Sequence, residues 1–190
     1  SMSIRTFVAI PIDKEITEQL VEVQQALSAT GAKVRWVAGE NIHLTMKFLG
    51  DVPDEQINDV CKAAKQVAKQ IEPFEFTVAG VMCIPPRGAL RMIWVGLTDK
   101  TGRSEKLQSL LEDTYVQMGF RKENRSFRPH LTLGRVKSSK NTEQLRQAVE
   151  KFANKEFGSQ LADQIIVFSS QLKPDGPVYS PMATIKLGNE

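Results

Sequence analysis

The chain holds two histidines, and each opens the same tetrad: His43-Leu44-Thr45-Met46 and His130-Leu131-Thr132-Leu133. With 15 Leu and 11 Thr among 190 residues, chance puts Leu-Thr behind the second histidine with a probability of about 0.005. The tetrads stand 87 positions apart, so the repeat reads as an internal duplication. Imidazole titrates near neutral pH and can serve as either acid or base. A threonine hydroxyl two residues on can donate a hydrogen bond to an oxygen on which charge builds up. Two such pairs suit the hydrolysis of a phosphodiester, in which one imidazole deprotonates water and the other protonates the departing oxygen. No Ser or Cys nucleophile is needed.

Other chemistries are less well provided for. Two histidines are too few for a structural zinc, which takes about four ligands, and no HExxH or cysteine cluster supplements them. No metal and no cofactor is expected. Cys61 and Cys83 form no CxxC pair and fall in apolar segments. They read as buried free thiols, which suits a reducing cytoplasmic setting.

Both tetrads fall in segments patterned as strands. Side chains alternate faces with period two, so His43 and Thr45 share one face while Leu44 and Met46 take the other. The same holds for His130 and Thr132 against Leu131 and Leu133. Strands are expected at 4–12, 34–37, 42–49 (closed by Gly50), 74–84, 91–97, 130–136, 165–168 and 179–187. Helices are expected at 14–30, stopped by Gly31; from Pro53 to Ile71; from Leu107 to near Gly119; and after Asn141, with Gln144 at a capping-box position. The order of elements favours α+β with largely antiparallel sheets over a parallel doubly wound fold.

Hydrophobic residues make up 41% and charged residues 25%, ordinary for a globular chain. No apolar run approaches the ~20 residues of a membrane span, and the start shows no signal-peptide pattern. A net charge of +3 does not by itself specify a nucleic-acid partner. Arg121, Lys122, Arg125, Arg128 and Arg135, however, fall within fifteen residues opposed only by Glu123. That stretch reads either as solvated surface or as an anion site.

With their flanks, the tetrads resemble the 2H phosphoesterase superfamily, and within it the RNA 2',3'-cyclic phosphodiesterases, also called 2'-5' RNA ligases. The likeness runs through Arg5-Thr6-Phe7-Val8-Ala9-Ile10, Trp36-Val37, residues 41–50, Ile93-Trp94-Val95-Gly96-Leu97 and residues 127–135. It implies a bilobed duplicated fold: two antiparallel-sheet lobes with outer helices around a central cleft, exchanging strands and acting as one domain over 1–190. By resemblance, His43 is the proton donor and His130 the proton acceptor, with Thr45 and Thr132 beside them. The near-symmetric motifs do not themselves assign these roles. The resemblance further implies that Phe48 and Arg135, each five residues past its histidine, sandwich the nucleobase, and that Tyr179 lines the cleft. Strict alternation would turn an offset of five to the opposite face, unless a bulge or strand end near Gly50 or Gly134 restores it. Trp36 and Trp94 read as core. Arg87 and Arg91 sit around a Pro85-Pro86 loop, from which they could reach RNA phosphates or simply meet solvent.

The implied partner is RNA with a 2',3'-cyclic phosphate end, or a cyclic nucleotide, bound by a monomer away from membranes, with reversible 2'-5' RNA ligation as a related activity. Two other readings stay open at this level. One is a catalytically idle nucleotide-binding module on the same fold. The other is a related esterase acting on 2'-5' oligonucleotides or ADP-ribose cyclic phosphate.

Overall fold

A computed structural model describes residues 2–189. In chain order these form β1 (Ser3–Pro11), α1 (Lys14–Ser28), β2 (Val34–Trp36), β3 (His43–Pro53), α2 (Ile57–Ala68), β4 (Phe74–Ile84), β5 (Met92–Thr98), α3 (Arg103–Gln117), β6 (His130–Val136), α4 (Thr142–Glu150), β7 (Glu156–Ala162), β8 (Gln164–Lys173) and β9 (Gly176–Lys186). One sheet runs β3-β1-β8-β9 and the other β2-β6-β5-β4-β7, with every pairing antiparallel. The α+β bilobed expectation is met. The halves also exchange strands: β2, from the first half, pairs with β6, while β8 and β9 extend the sheet begun by β1.

Alternation along β1 and β8 divides the first sheet into two faces. Val8, Ile10, Ile165 and Val167 enter the main core, which α2 covers with Val60, Ala64 and Val67. Phe7, Ala9, Ile166 and Phe168 form a separate apolar cluster on the other face, with Tyr179 packed on it. That cluster floors the cleft beneath His43.

Several expected boundaries shift for identifiable reasons. Gly50 does not close β3; it lies in the left-handed region (φ 74°) beside a bulge, and the strand runs on to Pro53. The following helix therefore starts at Ile57, after a short 3-10 turn over Asp54–Gln56. Asn141 holds the N-cap position of α4, where its carbonyl accepts Leu145 N–H at 3.0 Å, but its side chain makes no capping bond: the backbone is left-handed (φ 56°), and the amide donates instead to the Thr30 carbonyl at 3.0 Å. The edge strand β7 has no counterpart in the sequence reading, because Gly158 and Ser159 interrupt its apolar pattern. It is tied to the end of β1 by the buried Gln160, which donates to the Pro11 carbonyl and accepts from Asp13 N–H.

Candidate active site

Each histidine stands at the first position of its strand and is anchored in the same way. His43 Nδ1 lies 3.0 Å from the carbonyl of Asn41, and His130 Nδ1 lies 2.7 Å from the carbonyl of Arg128. A carbonyl can only accept, so each Nδ1 carries its proton and Nε2 is left as the basic nitrogen of the neutral ring. Thr45 and Thr132 follow on the same faces as their histidines, while Leu44, Met46, Leu131 and Leu133 are buried on the other.

Both strands then slip by one residue at the same motif position. Opposite β1, Ala9 pairs with Thr45 and Val8 with Lys47, so Met46 is an extra residue. Opposite β5, Trp94 pairs with Thr132 and Ile93 with Gly134, so Leu133 is the extra residue. A one-residue bulge inverts the facing of everything after it. Phe48 and Arg135 thereby return to the faces of His43 and His130, and both are exposed. The bulges resolve the conflict that alternation posed. The carbonyl freed at Leu133 is taken up by Val37 N–H and by the buried Gln24 amide, each at 2.9 Å.

The next position differs between the two motifs. At Gly134 an added Cβ would lie 2.6 Å from Val34 and 2.8 Å from Trp36, so β2 leaves room only for glycine. In the first motif that position is Lys47, which the bulge directs inward. Its ammonium is buried against the Glu112 carboxylate of α3 and donates to the Arg121 carbonyl at 3.0 Å. The other Glu112 oxygen accepts Glu123 N–H at 2.9 Å. This pair clasps the start of the segment that leads to Arg128 and His130.

The two imidazoles sit in different company. His43 is ringed by tilted aromatics: Phe168 at 4.7 Å, Tyr179 at 5.7 Å and Phe7 at 6.5 Å between centroids. His130 lies face to face on Trp94, with centroids 3.5 Å apart and planes 12° apart. Trp94, expected in the core, is thus a wall of the site. The signal was present in β5, where Ile93 and Val95 face inward and Trp94 must face away, but the register that brings it to His130 was not. Trp36 does pack against the core.

Burial holds the His43 imidazole below the ordinary histidine pKa, partly offset by its bond to Asn41. Burial likewise lowers that of His130, against the Arg128 carbonyl bond, and the Arg128 and Arg135 guanidiniums lower it further. Burial raises the Tyr179 hydroxyl, opposed by Arg135 and Arg5. Arg135 thus acts on His130 in one sheet and on Tyr179, the neighbour of His43, in the other. Strands β3 and β6 are in contact. Arg5 lies over the Phe48 ring at 4.6 Å and Arg128 over Trp94 at 5.7 Å.

Beside His43, a cavity of about 210 Å³ is lined by Asn41, Phe168, Pro177 and Tyr179, and a wider one of about 740 Å³ reaches towards α1. Arg87 and Arg91 are exposed, and Arg146 holds the backbone of their loop through the Pro85, Pro86 and Gly88 carbonyls. Cys61 and Cys83 are free but only half-buried. Among the described residues no group of three or more His, Cys, Asp or Glu side chains could hold a metal ion, and no helix is long and apolar enough to cross a membrane.

A duplicated α+β fold with one His-x-Thr strand per half defines a two-histidine phosphoesterase. The model of the LigT-like phosphoesterase family matches residues 10–94 and again 95–179, and the chain belongs to that family. A relative from Methanothermobacter thermautotrophicus, named RNA 2',3'-cyclic phosphodiesterase, is 33% identical over 186 residues, covering 98% of this chain and all of the relative. A crystal structure of a Thermus thermophilus protein superposes with a TM-score of 0.82 at 24% identity, covering 98% of this chain and all of that one. E. coli LigT complexed with 3'-AMP superposes with a TM-score of 0.78 at 23% identity, covering 97% and 98%.

Proposed function

We propose that this chain opens 2',3'-cyclic phosphates on RNA ends, leaving a 2'-phosphate and a free 3'-hydroxyl, by metal-independent catalysis between His43 and His130. One observation carries the reading: the matched anchoring of both imidazoles through Nδ1, which leaves two Nε2 atoms free on strands that are in contact. Water attacks phosphorus and gives its proton to His130, the P–O3' bond breaks in line, and His43 hands its proton to O3'. Thr45 and Thr132 donate to the non-bridging oxygens. Phe48 and Arg135 hold the base, and Tyr179 lines the sugar side. A 5'-hydroxyl in place of water would give a 2'-5' linkage by the same step. Two guanidiniums beside His130 favour its neutral form, which suits the base. No such guanidinium opposes protonation of His43, whose pKa is lowered by burial alone, and that difference suits the acid. The names of the relatives and the 3'-AMP held by E. coli LigT support a nucleotide substrate.

The direct test is incubation of an RNA ending in a 2',3'-cyclic phosphate with excess EDTA present, followed by separation of the product isomers. The 2'-phosphate is expected. A predominant 3'-phosphate would overturn O3' as the leaving group, and turnover lost to chelation but restored by a divalent ion would overturn the metal-free mechanism. An absence of turnover, with ADP-ribose cyclic phosphate or a 2'-5' oligonucleotide cleaved instead, would move the substrate class.

The pH dependence follows from the two depressed imidazoles. In the free enzyme the base must be neutral and the acid protonated, so kcat/KM should be bell-shaped. Because burial lowers both pKa values, the alkaline limb falls as His43 loses its proton, and the maximum lies at or below about pH 6.5. A bound phosphate anion favours imidazolium, so the kcat profile should sit alkaline of that for kcat/KM. A flat profile from about pH 5 to 9 would exclude the paired mechanism.

A further inference from the structure

We propose that Trp94 is a positioning residue for His130, holding the imidazole in one plane and stabilising its cationic state when it takes the proton from water. The inference rests on the reading of His130 as the base. It stands on two independent observations. The first is the parallel stack, 3.5 Å and 12°, which has no counterpart in the other lobe. There the residue opposite the motif threonine is Ala9 rather than Trp94, and the rings near His43 are all tilted by more than 50°.

The second observation is a cost. Trp94 Nε1 is the one buried side-chain nitrogen or oxygen without a hydrogen-bond partner among the described residues. Such a donor normally finds one, and a phenylalanine could fill the strand position without leaving an orphan. What an indole adds at this position is its face, which lies on His130.

The physics gives that face a task. The π face of an indole attracts a cation, and more strongly when water is excluded. Arg128 and Arg135 are the charged groups facing His130, and both oppose its protonation, as does burial. A base in that field accepts water's proton against two like charges. The indole returns part of that energy at the moment the imidazolium forms, and it also fixes the ring so that Nε2 keeps its aim. Arg128 lies over the same indole, so the residue whose carbonyl anchors Nδ1 also helps to hold the stacking partner.

The experiment reads His130 directly, by NMR titration of the two histidine Cε1–H signals, assigned with His43→Ala and His130→Ala. Trp94→Leu should lower the His130 pKa by about half a pH unit and leave His43 unmoved. Trp94→Phe should fall between. Because it removes the orphan donor, Trp94→Phe should melt no lower than wild type while still losing kcat, with little change in KM. A second probe uses the fact that Trp36 is the only other tryptophan. In Trp36→Phe the remaining emission should be quenched on acidification, and the quenching should vanish in Trp36→Phe/His130→Ala. An unchanged His130 pKa in both Trp94 variants would overturn the proposal whatever the enzyme cleaves. A shifted pKa with no turnover of any cyclic phosphate would leave the stack standing and sink the proposed function instead.

Discussion

His43→Ala and His130→Ala are each expected to lower kcat by about 10²–10⁴-fold or more, because each removes one of the two proton-transfer partners. The double variant should lose little more than either single one, since a step needing both groups is already disabled when one is missing. Thr45→Ala and Thr132→Ala should cost less, as each deletes one of several donors to the phosphate. Both imidazoles rest on aromatic walls rather than in the main core, and neither belongs to the buried set. The variants should therefore fold, which circular dichroism and thermal melting can verify on the same samples. Near wild-type turnover in either single variant would end the two-histidine reading, because the chain holds no third histidine to take the missing role.

The histidine pair was legible in the sequence because its signal is redundant: the tetrad is repeated, and period-two alternation alone puts each threonine beside its histidine. The α+β class was legible for a similar reason, since apolar periodicity marks most strands and helices. What escaped depends on single residues that break a period. The extra residues Met46 and Leu133 carry no composition cue, yet they return Phe48 and Arg135 to the faces of their histidines and turn Lys47 inward. Counting by twos from His43 assigns Lys47 to the polar face, where a lysine is unremarkable, and so its burial could not be foreseen. Trp94 was missed because its partner depends on strand register, a pairing between segments about 36 residues apart that local pattern does not encode. The edge strand β7 was missed because glycine and serine interrupt its apolar pattern.

The buried Lys47–Glu112 pair gives the second large expectation, in stability first and in activity after it. Lys47 is 6% exposed and Glu112 11%. Removing one partner strands the other charge away from water, at a cost of about 3–5 kcal/mol. Lys47→Met and Glu112→Leu should each lower the melting temperature by about 6–20 °C in a chain of this size. Lys47→Met/Glu112→Leu removes both charges and should be much less destabilised than the sum of the singles. The pair also does something that an apolar pair cannot. Lys47 grips the Arg121 carbonyl and Glu112 the Glu123 amide, so the first motif strand holds the start of the segment that ends on Arg128, whose carbonyl fixes the tautomer of His130. The double variant should therefore recover stability without recovering activity, with kcat/KM about 10- to 10²-fold down at a temperature where it is fully folded. Wild-type melting in both single variants would mean that the charges are not buried as described. Full activity in the stable double variant would mean that the clasp serves folding alone, and that each motif holds its own histidine without help from the other.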